Sequence, residues 1–176
     1  MSKPRIIAGS AKGRSLNTPK RGTRPSPARL REALFNRLEF RERGTFLDLY
    51  SGSGAIGLEA ASRGWQSTCV DLSKEAAHVI RQNARALKLD AEVIGADALK
   101  FIKTADPFDV VFAAPPYPLD LEEIFQTILN AEIANELYIF QHPTQLELYL
   151  SYKNAPAEFD RRVYGSNVVS MLGVDK

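Results

Sequence analysis

An α/β fold built on a mostly parallel, seven-stranded sheet is predicted from three observations. From residue 44 onward, five short apolar runs alternate with helical stretches. Two further apolar runs close the chain around Gly165-Ser166, and a glycine-rich loop joins the first run to its helix. Parallel strands need crossovers and helices fill them, so the alternation implies a doubly wound sheet. The terminal pair reads as a hairpin that adds antiparallel strands to one edge.

The elements follow in order. Residues 5–9 and 14–17 are strand-like and flank Ser10-Ala11-Lys12-Gly13, which predicts a basic β-hairpin. Two prolines and a glycine make residues 18–25 a loop. Ser26 is expected to cap a helix with Pro27 at its first position, because Leu30, Ala33, Leu34 and Leu38 recur at helical spacing. Arg29, Arg31 and Arg37 fall on the opposite, cationic side. Strands are then expected over 45–49, 68–71, 91–94, 109–113 and 136–140. Each precedes a helix, over 55–63, 74–87, 98–103, 120–130 and 144–150. The terminal strands are expected over 159–164 and 167–172.

Charge divides the chain. Residues 1–43 hold 12 Lys and Arg against three Glu, whereas the whole 176-residue chain is only +2. Such polarisation suits a chain of which one part meets a polyanion. We therefore expect a basic appendage of hairpin and helix over 1–43 and a body over 44–176. With 44% hydrophobic and 25% charged residues the composition is that of a globular protein. No apolar run reaches the roughly 18–20 residues of a membrane span, and the first residues lead into no signal-peptide core, so a soluble, cytoplasmic protein is expected. The single cysteine, Cys69, excludes an intrachain disulfide and a multi-cysteine zinc site. No metal is expected.

The strongest local signal is Asp48-Leu49-Tyr50-Ser51-Gly52-Ser53-Gly54-Ala55-Ile56-Gly57. A strand runs through a complete G-x-G-x-x-G into a helix, the setting in which that pattern binds a nucleotide-type cofactor. Asp71 ends the next strand, where a carboxylate accepts hydrogen bonds from ribose hydroxyls; it equally suits a cap for the following helix. Asp97 ends the third strand and suits either an adenine amino group or the N-cap of the helix at Ala98. Asp48 would repel a pyrophosphate but suits a cationic group. That favours S-adenosyl-L-methionine, which carries an ammonium and a sulfonium and no phosphate. After the fourth strand, Ala114-Pro115-Pro116-Tyr117 fixes the backbone and offers Tyr117 as a stacking face for a base.

These residues resemble the class I, Rossmann-like methyltransferases that act on exocyclic amines. Arg5-Ile6-Ile7-Ala8-Gly9, Lys12-Gly13-Arg14, Arg24-Pro25-Ser26 with Arg29, Arg31-Glu32-Ala33-Leu34-Phe35-Asn36, the glycine loop continued to Ala60, and Ser62-Arg63-Gly64 narrow the resemblance to the RsmD family. The resemblance implies methylation of a guanine N2 in 16S ribosomal RNA, on a 30S subunit or its assembly intermediate, by a monomer that uses S-adenosyl-L-methionine. It further implies that Asp48 and the Gly52, Gly54, Gly57 loop hold the methionine part of the cofactor, Asp71 the ribose and Asp97 the adenine. Tyr50, Leu72 and Ala98 are expected in the same cofactor site. Ala114, Pro115, Pro116 and Tyr117 would face the guanine, and Arg5, Lys12, Arg14, Arg24, Arg29 and Arg31 the RNA.

The chain departs from the family signature at Ala114, where Asp or Asn is expected. The guanine amine loses one acceptor there, which leaves a catalytically impaired RNA-binding or assembly factor as the alternative; a nicotinamide-dependent oxidoreductase is a more distant one. His142, His78, Trp65 and the Glu122-Glu123 pair read as structural or surface residues.

Overall fold

The computed structural model describes residues 3–20 and 25–174. Its strands are β1 Thr45–Leu49, β2 Gln66–Asp71, β3 Ala91–Gly95, β4 Phe108–Ala113, β5 Ala134–Pro143, β6 Ser151–Tyr152, β7 Ala155–Pro156, β8 Asp160–Tyr164 and β9 Asn167–Gly173. The short β6 and β7 pair with each other, and the rest form one sheet in the order β3-β2-β1-β4-β5-β9-β8. In that sheet β1 to β5 run parallel, and β9 and β8 add antiparallel pairings at one edge. The expected seven-stranded α/β sheet with its C-terminal hairpin is therefore present. Because the chain steps outward from β1 to β3 and returns at β4, the connections leaving β1 and β4 diverge. A crevice opens beyond their C-terminal ends.

Alternation along each strand sends side chains to two cores. In β4, Val110 and Phe112 face α1 (Ala28–Leu38) and α2 (Ala55–Ser62). The helix α3 (Lys74–Ala86) covers the same face beside α2. On the other face lie the short α4 (Ala98–Ile102) and α5 (Leu121–Asn130), packed with Val111 and Ala113. Among the described residues no helix is long and apolar enough to cross a membrane.

The basic segment is built into this packing. Leu30, Leu34, Phe35 and Leu38 of α1 are buried with Phe46, Phe112, Ile139 and Val169 of the sheet. Each such side chain contributes about 1.5–3 kcal/mol, so residue 43 marks a change of charge and not of packing. Ahead of it, Ile6, Ala11 and Leu16 pack on Leu58, Ile80 and Ala84. The expected hairpin is present as a short antiparallel pairing: Arg5 bridges Ser15, the Ile6 N–H donates to the Arg14 carbonyl at 2.9 Å and the Leu16 N–H to the Pro4 carbonyl at 2.8 Å, with turns between.

Two local expectations are corrected. Residues 144–150 form a turn and an extended segment instead of a helix. Gln145-Leu146-Glu147-Leu148-Tyr149-Leu150 alternates strictly, and Leu146, Leu148 and Leu150 turn inward with the period of extended chain. The segment leads into the ribbon of β6 and β7. At α1, Pro27 takes the cap position with no side-chain cap. Ser26 Oγ instead donates to Gln141 Oε1 at 3.0 Å.

Candidate active site

The loop after β1 is shaped by its backbone. Tyr50 stands at φ 61° and Gly52 and Gly54 at φ 57° and 79°, so three left-handed residues reverse the chain within five positions. Gly54 is the residue that caps α2, and a Cβ there would lie 2.8 Å from Ile80 Cγ1. Gly57 serves packing even more tightly. Its Cβ would come 2.3 Å from Cys69 Sγ and 3.0 Å from Asp48 Oδ2. Neither Gly54 nor Gly57 lines the crevice; both let helix and loop approach the sheet from behind.

Asp48 is 1% exposed. Its Oδ2 accepts from the Gly57 N–H at 2.9 Å, and its backbone oxygen accepts from Ser51 Oγ at 2.7 Å. Burial pushes its carboxyl up to about 7, against the Gly57 hydrogen bond and with a further push from Asp71. Asp71 accepts from the N–H groups of Gly52 at 2.8 Å and Ser73 at 2.9 Å, which ties the loop to the end of β2. Asp97 caps α4 by accepting from the Lys100 N–H at 3.0 Å. The capping reading of Asp97 is thus present, and the same residue also borders the crevice.

One cavity of about 980 Å³ gathers these groups. Asp48, Tyr50, Gly52, Asp71, Leu72, Asp97 and Ala98 line it on the β1 to β3 side, and Ala114, Pro115, Pro116 and Tyr117 on the β4 side. Among the described residues it is lined by three carboxylates and by no Lys or Arg. The three carboxylates would repel a pyrophosphate and attract a ligand bearing positive charge. Among the described residues there is also no cluster of three His, Cys, Asp or Glu suited to a metal.

On the β4 side the Pro116 carbonyl accepts from the Leu119 N–H at 3.1 Å and closes a tight turn. Tyr117 is 44% exposed, and its hydroxyl donates to Asn167 Oδ1. Ser26, Gln141 and Asn167 complete this wall. Sequence reading did not assign them to the site, since they come from three distant segments and carry no local motif. His142 is buried, with Nδ1 3.0 Å from the Pro143 carbonyl and Nε2 2.8 Å from Ser170 Oγ, and burial lowers its pKa. It is a structural residue with both ring nitrogens occupied.

The basic residues separate into three groups. Arg31 is corrected from a surface cation to a core residue. It is 2% exposed, pairs with Glu59 at 3.3 Å and donates to the Arg5 carbonyl at 3.0 Å, so no phosphate can reach it. Arg29 is exposed near the start of α1, beside Pro27 on the cavity rim. Arg5, Lys12 and Arg14 are exposed on the turn region that hydrogen-bonds Ser62, the last residue of α2. Since α2 begins at the cavity and its eight residues span about 12 Å, these three lie toward the opposite end of the sheet. Arg24 lies outside the described residues.

The conserved hypothetical protein 95 family model matches residues 4–173. Ribosomal RNA small subunit methyltransferase D of Haemophilus influenzae is 39% identical over 128 residues, which are 68% of this chain and 66% of that protein. Among solved structures, a hypothetical protein of Thermus thermophilus superposes with a TM-score of 0.87 at 40% identity, over 97% of this chain and 99% of that one. A 16S rRNA N2 G1207 methyltransferase of Thermus thermophilus, solved with AdoMet and guanosine, shares the fold. Its TM-score is 0.72 at 19% identity, over 99% of this chain and 50% of that one.

Proposed function

The chain belongs to the conserved hypothetical protein 95 family, the RsmD family, and on that premise we propose that it methylates the N2 amine of a guanine in small-subunit ribosomal RNA with S-adenosyl-L-methionine. The observation that carries this reading is the cavity with acids on one wall and Ala114-Pro115-Pro116-Tyr117 on the other. The acid wall fits the cofactor: Asp48 is a buried carboxylate with, among the described residues, no Lys or Arg beside it in the cavity, suited to an ammonium, and Asp71 and Asp97 each keep lone pairs for ribose and adenine donors. When bound, S-adenosylmethionine supplies an electrophilic methyl carbon on its sulfonium.

The opposite wall does the positioning. Tyr117 offers its ring face to a base drawn out of its stack, and the turn closed by Leu119 leaves the Pro115 carbonyl free of described partners to accept from the amine. These groups would hold the guanine nitrogen facing that methyl carbon, and the proton the amine gives up on methylation would pass to water. Orientation of the nitrogen toward the methyl carbon is the main contribution asked of the protein. Outside the cavity, Arg29 at the rim and Arg5, Lys12 and Arg14 at the far end contact phosphates of a 30S particle or its precursor.

Two measurements test the reading. Titration calorimetry shows S-adenosylmethionine binding that Asp48→Ala abolishes, and mass mapping of 16S rRNA from cells with and without the protein shows one guanine losing its methyl group. An unchanged methylation map refutes the activity. Ala114 favours a second reading, an RNA-binding assembly factor without turnover. In that case cofactor or RNA binding persists, the map is unchanged, and only the profile of assembling particles responds.

A further inference from the structure

Resting on the reading of an amine-methylating cavity, we propose that the Gln141 side-chain oxygen, together with the Pro115 carbonyl, holds the target amine and makes the site selective for an amino group.

The wall that faces the base is poor in side-chain acceptors at the point of attack. Ala114 contributes a methyl group, the prolines have no polar side-chain atom, and the Pro116 carbonyl is taken by Leu119. Gln141 lies directly beside this gap. Phe140 stands opposite Ala113 in the last pair of the parallel β4–β5 ladder, and the next residue of each strand, Gln141 and Ala114, lines the cavity. Ala114 packs on the sheet face of Phe112 and Ile139, the face to which alternation along β5 also turns Gln141, so the carboxamide lies on the same side as the Ala114 methyl group.

The carboxamide is held in place. Gln141 is 7% exposed and what remains faces the cavity. Ser26 Oγ donates to its Oε1 at 3.0 Å, which uses one of two lone pairs and keeps the oxygen on that side. Tyr117, whose hydroxyl donates to Asn167, lines the same wall. The second lone pair of Oε1 is left for a ligand.

A primary amine brings two N–H groups, and Oε1 and the Pro115 carbonyl offer two acceptors. With both hydrogens engaged, the nitrogen is fixed in orientation for attack on a methyl carbon. A base with a carbonyl oxygen at the same position would meet two acceptors and no donor, so the pair also rejects it.

Single-turnover methyl transfer to 30S particles, with cofactor affinity by calorimetry, tests this in the full chain. Gln141→Met is expected to slow transfer about 10- to 100-fold while cofactor affinity stays within about twofold. Adding Ala114→Asn, which returns an acceptor one strand away, recovers most of the rate. Gln141→Met with a rate within about threefold of wild type overturns the proposal, as does a slow variant that Ala114→Asn leaves unimproved. If Gln141→Met does not fold, Ser26→Ala decides: a several-fold lower rate at unchanged cofactor affinity supports the proposal and an unchanged rate overturns it. A wild-type protein that transfers no methyl group refutes the amine-methylating reading itself, and the proposal with it.

Discussion

Arg31 and Glu59 form an ion pair 3.3 Å apart in which both side chains are at most 2% exposed. Glu59 also accepts from the N–H groups of Ile7 at 2.8 Å and Ala8 at 3.1 Å, and from Arg63 Nε at 2.8 Å. One carboxylate on α2 thus fastens the N-terminal segment, α1 and its own helix end together. Removing one partner of a buried pair strands the other charge, at about 3–5 kcal/mol. Glu59→Ala is accordingly expected to lower unfolding free energy by that amount in urea titrations. A loss under about 1 kcal/mol, the scale of a surface pair, would show that the clamp contributes little.

Asp48 makes the protein without ligand lose stability as pH rises. Its carboxyl titrates about 7 in the folded chain and near 3.8 when exposed, so between these values the folded protein keeps a proton that the unfolded chain has released. The stability is fully present below about pH 4 and falls by a few kcal/mol toward pH 7. Asp48→Asn, which cannot ionise, is expected to flatten that part of the profile. A cationic ligand reverses the preference, so cofactor binding at pH 6 should release a proton, detected as a calorimetric enthalpy that depends on the buffer. Proton uptake, or a flat wild-type profile, would contradict the assignment.

Gly57→Ala is expected to act on folding before it acts on ligand binding. The added methyl group would meet Cys69 Sγ at 2.3 Å inside a closed core, and overpacking of this kind costs about 1–3 kcal/mol. Cys69→Ala vacates the volume in question. The double variant is therefore expected to be more stable than the sum of the single changes by at least about 0.5 kcal/mol, measured as a coupling energy in a double-mutant cycle. Additive changes would mean that α2 shifts away from β2 instead.

The features legible in sequence were those written in local pattern. The glycine loop, Asp48, Asp71, Asp97 and the Pro115-Pro116 turn all line or support one cavity because each terminates a strand at the same end of the sheet, and strand ends are marked by their own residues. What escaped depends on three-dimensional neighbours. Arg31 sits at helical spacing with exposed Arg29 nearby, and only Glu59 in the otherwise small and apolar Ala-Ile-Gly-Leu-Glu-Ala-Ala-Ser of α2 signals a buried partner. Gln141 and Ser26 meet across 115 positions, a distance no motif spans. Over 144–150 the signal was present but of the other period: alternating Leu146, Leu148 and Leu150 describe extended chain.

RNA affinity is expected to depend on salt through the exposed basic residues and not through the buried one. Each phosphate neutralised by a single-stranded RNA contact adds about 0.7 to the slope of log affinity against log salt. Lys12→Ala with Arg14→Ala is therefore expected to lower the slope by about 1–1.5, and Arg29→Ala by about 0.7. Arg31→Met, compared at a temperature where it remains folded, leaves the slope unchanged, since the guanidinium is held by Glu59 and the Arg5 carbonyl. Cofactor affinity is untouched by Lys12→Ala and Arg14→Ala, because the length of α2, about 12 Å, exceeds the screening length of about 8 Å at physiological salt. Filter binding of 16S rRNA across a salt series reads all three slopes. An unchanged slope for Lys12→Ala with Arg14→Ala would confine the RNA to the cavity rim and remove the far end of the sheet from the interface.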